Sequence, residues 1–189
     1  MTTPHPLDAQ EPRQRLILAR TISLGMILVL AGATVGFGMV VFYALEGIPL
    51  MGNFIVVLGE PLLAVVAAVL APFVLVGAVL FGSAKRRQAF EAIVTAHPET
   101  VTPDADAERL VAAFTAGRFV EYAVLWGYGL ACAILFHLIT APLLAGLVVV
   151  ALLAMVVRFP YSIMAKSWYD AGMKELQHRR AAALPAGRS

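Results

Sequence analysis

One cysteine, no Lys, Arg, Asp or Glu between residues 122 and 157, and two connecting segments without a basic residue are the conspicuous shortages of this 189-residue chain. A lone cysteine, Cys132, excludes an intrachain disulfide and a cysteine-based metal site, and its place in an apolar run marks it as a small core residue. Catalytic signatures are missing as well. There is no glycine-rich phosphate loop ending in Lys-Ser/Thr, no HExxH and no GxSxG, and His5, His97, His137 and His178 are scattered without ligand spacing. The expectation is a protein that is not an enzyme and needs no metal or cofactor. A net charge of +2 would suit nucleic acid, but the basic residues flank apolar runs and alternate with acids, so no nucleic-acid partner is expected.

What is abundant is apolar surface. With 60% hydrophobic residues, 14% charged and a mean hydropathy of +0.83, the chain is too apolar for a soluble domain of its length, and a lipid bilayer is the expected partner. The basic residues fall in three groups: Arg13, Arg15 and Arg20; Lys85, Arg86, Arg87, Arg109 and Arg118; and Arg158, Lys166, Lys174, Arg179, Arg180 and Arg188. The connections around 46–60 and 137–141 hold none. Because Lys and Arg resist translocation, this alternation predicts four spans with both termini cytoplasmic.

The spans follow from length. Residues 20–45 carry an uncharged run long enough to cross a hydrocarbon core of about 30 Å, after a tail at 1–19 whose first dozen residues read as disordered. Arg13, Arg15 and Arg20 ahead of Ala31-Gly32-Ala33 also fit a cleaved signal peptide, but the apolar run continues well beyond the about 7–15 residues of a signal core. An external loop at 46–60 leads to a second span at 61–81, opened by Pro61 and kinked by Pro72. The apolar stretch after Glu121 is too long for one crossing. It divides into spans at 119–138 and 142–159 around an external turn at 139–141, leaving Arg158 to snorkel towards the headgroups beside the break at Pro160.

Between spans 2 and 3, residues 82–118 read as a cytoplasmic helical hairpin. Lys85 to Ala96 extend the second span, His97 to Val101 break it, and Thr102-Pro103-Asp104 start a new helix with a cap, a first-turn proline and an acid at the positive end of the dipole. Leu110, Val111 and Phe114 form its apolar stripe. Residues 160–180 read as an interfacial amphipathic helix, with Tyr161, Met164 and Trp168 on one face and basic residues on the other, ahead of a disordered tail at 181–189.

Small residues recur four apart: Gly32 and Gly36 on the first span, Ala64 and Ala68 (with Ala67 and Ala71) on the second, Gly127 and Ala131 (with Gly129 and Ala133) on the third. This spacing lets helix backbones approach closely, within one bundle or between copies. Glu60-Pro61-Leu62-Leu63-Ala64 and Ala141-Pro142-Leu143-Leu144-Ala145 open the second and fourth spans alike, a faint sign of two helical hairpins related as parallel repeats. Two polar groupings stand out. Glu121 and Arg158, each about a turn inside a helix end, suit an ion pair. Glu46, Glu60 and His137 form a weak external cluster able to hold a cation or proton.

The run Arg118-Phe-Val-Glu-Tyr-Ala-Val-Leu-Trp-Gly, the exit Val157-Arg158-Phe159-Pro160 and the following helix with Lys166 and Trp168 resemble a family of small bacterial four-span integral membrane proteins without assigned activity. The resemblance covers roughly the last seventy residues and implies an integral membrane protein of the bacterial cytoplasmic membrane. The combined expectation is an all-α membrane protein, a four-transmembrane-helix bundle. It would serve as a non-catalytic structural or accessory component, with another membrane protein or a second copy as its protein partner. The alternative is a homo-oligomeric channel or transporter for a small ion or solute, and a lipid-directed enzyme ranks behind both. A conduit needs a polar buried face, for which only Thr21, Ser23 and Thr34 are candidates.

Overall fold

The computed structural model describes residues 10–44, 56–57, 60–95, 103–139 and 141–183. They form five helices and one minimal antiparallel pairing: α1 (Gln10–Ala44), β1 (Val56–Val57), β2 (Glu60–Pro61), α2 (Leu62–Thr95), α3 (Pro103–Ile139), α4 (Pro142–Val157) and α5 (Ser162–Ala183). Val56 faces Pro61 and Val57 faces Glu60 in the β pairing. The protein is therefore essentially all-α. Among the described residues three helices are long and apolar enough to cross a membrane, within α1, α2 and α3, whereas α4 is apolar but only 16 residues long.

Proline places two of the helix starts. Pro103 is the first residue of α3 and Pro142 that of α4, positions where the missing N–H costs nothing because no carbonyl precedes it in the helix. Pro12 sits in the first turn of α1 for the same reason, and α1 begins at Gln10, inside the segment expected to be an irregular tail. Pro61 pairs in β2 and α2 opens one residue later, at Leu62; Pro72 lies inside that helix. The expected break at His97–Val101 lies outside the described residues.

The chain divides into two compact units. The apolar unit falls within residues 22–80 and 120–159, the polar unit within 1–21, 81–119 and 160–189. In the apolar unit the inward face of α2 is alanine: Ala64, Ala67, Ala71 and Ala78 are buried, while Val66, Val69, Leu70, Phe73 and Val76 are exposed, Phe73 by 70%. Small residues inside and large apolar residues outside invert the pattern of a water-soluble helix. Lipid-embedded helices gain close packing from small side chains and lose nothing by turning large ones to hydrocarbon, so this arrangement suits a membrane.

Two tyrosines fasten the apolar unit. Tyr122 Oη donates to the carbonyl of Met155, and Tyr128 Oη donates to the carbonyl of Ala67 at 2.8 Å. The first bond lies in the last turn of α4, whose final carbonyls have no intrahelical donor. Arg158 N–H donates to the carbonyl of Ala154 and Phe159 N–H to that of Val156, so these three groups satisfy the carbonyls of residues 154, 155 and 156 without water. Gly129 is where α3 comes closest to its neighbours: a Cβ there would stand 2.7 Å from Leu30 Cδ2 and 3.2 Å from Ala151 Cβ.

Candidate functional site

The polar unit holds the chemistry-bearing side chains in greatest density. Its core is built from Leu16 of α1, Ile93 of α2, Leu110, Val111 and Phe114 of α3, and Ala165, Tyr169 and Leu176 of α5, all buried. The apolar stripe predicted from Leu110, Val111 and Phe114 thus faces a core. The buried face of α5 is Ala165, Tyr169 and Leu176, and the stripe singled out from the sequence is divided differently: Tyr161 and Met164 are exposed, and Trp168 is partly buried against the core. Gly172 lets α5 approach, since a Cβ there would lie 3.2 Å from Leu110 Cδ2.

A second glycine sets the position of an arginine. A Cβ on Gly117 would collide with Arg86 Cγ, and would lie 2.7 Å from the carbonyl oxygen of Gly82. Gly82 and Gly117 therefore bring α2 and α3 into backbone-to-backbone contact, and the aliphatic stem of Arg86 runs across the gap. Next to it, the Arg118 guanidinium lies 5.4 Å from the ring centre of Phe114 and donates to Met164 Sδ at 3.6 Å. Phe114 in turn contacts the Trp168 indole with ring centres 5.7 Å apart.

These groups line a cavity of about 490 Å³ formed by Arg86, Phe114, Arg118, Ile163, Met164, Ser167, Trp168 and Ala171. A smaller cavity of about 280 Å³ shares Arg86, Trp168 and Ala171 with it and adds Ser83, Arg87, Phe90, Gly172 and Glu175. Glu175 accepts from Arg179 Nε at 2.7 Å, and this bond holds its carboxyl below the usual range. Arg179 also reaches Glu91 at 3.0 Å and sits over Phe90, 5.7 Å from the ring centre. Arg15 pairs with Glu108. The Arg179 pairs are exposed and contribute little to stability.

In the apolar unit a cavity of about 330 Å³ is lined by Leu75, Ala78, Val79, Glu121, Leu125, Val150, Leu153, Ala154, Val157 and Arg158. It brings the two members of the proposed ion pair to one place: Glu121 is fully buried and Arg158 half-buried. Of the external cluster, His137 is buried with its ring edge-on to Phe136 at 5.3 Å, while Glu46 and the side chain of Glu60 lie outside the described residues. Of the small-residue pairs, Ala64 is buried and Ala68 partly so, whereas Gly32, Gly36, Gly127 and Ala131 are exposed. Among the described residues, a Cβ on Gly32, Gly36 or Gly127 would meet nothing within 4 Å. The buried small pair on α3 is the alternative register, Gly129 and Ala133.

Among the described residues no group of three or more His, Cys, Asp or Glu side chains could hold a metal ion. No family model, curated protein or solved structure matches the chain.

Proposed function

We propose that the chain is a four-span integral protein of the bacterial cytoplasmic membrane, with both termini and the 82–118 hairpin on the cytoplasmic side, acting as a non-catalytic accessory component. The four spans are those of α1, α2, α3 and α4. At about 1.5 Å per residue α4 spans roughly 24 Å, so as a crossing it needs local bilayer thinning and a snorkelling Arg158. The alternation of basic and base-free segments agrees with this reading.

The observation that carries the accessory role is the polar unit itself. It has a core of its own, and its faces bear clefts lined by arginine and aromatic side chains. Such a surface suits binding to a partner. The test is the native mass of the protein extracted gently from its own membrane. Co-purification with a defined second protein at fixed ratio, lost on substitution within 82–118, supports the accessory role. A closed homo-oligomer that conducts ions in liposomes overturns it in favour of a conduit.

A further inference from the structure

The Arg86–Arg118–Trp168 cleft has the composition of a site for an amphiphile with a negatively charged head. Guanidinium side chains from two different helices, Arg86 of α2 and Arg118 of α3, are among its lining groups. Its volume, about 490 Å³, lies within the about 300–1,000 Å³ typical of small-molecule sites. The Arg86 stem packs against Gly117, and the Arg118 guanidinium is held by Phe114 and Met164 Sδ. Guanidinium forks match phosphate oxygens in pairs, and fixed ones lose little entropy on binding. The rim is apolar: Ile163 is 80% exposed and Met164 39%, beside the exposed Tyr161. A free inorganic anion would gain nothing from that rim, whereas an acyl chain would.

We propose that this cleft binds the phosphate-bearing headgroup of an anionic phospholipid, with Arg86 and Arg118 on the phosphate, the Trp168 indole against the glycerol region and the acyl chains leaving over Ile163 and Met164. The inference deepens the membrane reading above and rests on it. A headgroup in the cleft touches α2, α3 and α5 together.

Trp168 is the reporter. The chain has two tryptophans, so Trp126→Phe leaves Trp168 alone. The full-length protein in neutral detergent is titrated with dihexanoyl phosphatidylglycerol, dihexanoyl phosphatidylcholine or inorganic phosphate, and Trp168 emission is followed. The expected result is a saturable change with the anionic lipid only, weakened at least tenfold by Arg118→Gln, weakened less by Arg118→Lys, and unaltered by Lys174→Gln, with unchanged helix content by circular dichroism. Arg86→Gln gives a second, independent loss. An equal response to phosphatidylcholine, an equal response to inorganic phosphate, or no saturable response overturns the proposal. Carbonate-washed membranes separate this failure from the larger one: protein that stays in the pellet but gives no Trp168 response refutes the lipid site alone, and protein that leaves the pellet refutes the membrane reading.

Discussion

The two units differ in what they turn outward: large apolar side chains in one, charged ones in the other. The apolar unit turns alanine inward along α2 and large apolar side chains outward, and it ties its helices together with tyrosine hydroxyls. The polar unit buries Leu110, Phe114, Tyr169 and Leu176 and leaves Arg, Glu and Lys outside, as a protein in water does. One chain thus carries two solvents' worth of design. In water the drive to bury large apolar groups dominates; in lipid that drive vanishes, and close backbone approach and satisfied carbonyls decide which residues face inward.

Substitutions break this comparison in order of size. Leu110, fully buried in the polar unit, should cost about 2–5 kcal/mol on Leu110→Ala, read as a fall in the thermal midpoint in detergent. Phe73→Ala, at an exposed position of the apolar unit, should leave that midpoint nearly unchanged, and an equal loss at both sites would remove the distinction between the units. Gly117→Ala should follow at about 1–3 kcal/mol, since the new methyl meets a backbone carbonyl and the Arg86 stem. Gly32→Ala and Gly36→Ala meet none of the described residues within 4 Å and should leave the protomer as stable as before; a drop in native mass with either would assign that face to a second copy.

Smaller effects sharpen the account further. In a double-mutant cycle, Glu121→Gln and Arg158→Gln should each lower the thermal midpoint, the pair together by less than the sum, with a coupling of about 0.5–3 kcal/mol. Strict additivity would separate the two residues despite their shared cavity. Tyr128→Phe removes one hydroxyl bond between helices and should cost about 0.6 kcal/mol. The least effect belongs to Glu175. Its carboxyl is held low by Arg179, so the associated stability is present above the ordinary carboxylate range and disappears as pH falls through the lowered value. An acid titration of the midpoint should show that small loss in the parent and lack it in Glu175→Gln.

Much of the architecture was legible in the sequence. Apolar run lengths announced the helical, membrane-suited character, and Pro103 and Pro142 stand at helix starts because the first turn is where proline costs a helix least. The start of α1 at Gln10 was not legible, because the residues ahead of Arg20 read as a polar tail until Leu16 is seen in the core of the polar unit. Spacing could not choose between Gly127 with Ala131 and Gly129 with Ala133, since both pairs repeat every four residues and only the position of Leu30 and Ala151 distinguishes them. For α5 the periodicity admitted more than one apolar stripe, and the partners in α2 and α3 decided which was buried. The arginine cleft had no sequence signal at all. Arg86 and Arg118 lie far apart in the chain, and Gly117 looked like one more small residue.

The contrast between the two solvents is most directly tested by single-cysteine labelling in native membranes. In a Cys132→Ala background, cysteines are placed at Phe73 and Val149 of the apolar unit and at Glu108 and Lys174 of the polar unit, all four outside the buried cores of the isolated chain. A water-soluble maleimide applied to opened membranes should modify Glu108→Cys and Lys174→Cys rapidly and spare Phe73→Cys and Val149→Cys until the membrane is dissolved in denaturing detergent. Equal labelling of all four before the detergent is added would contradict the account.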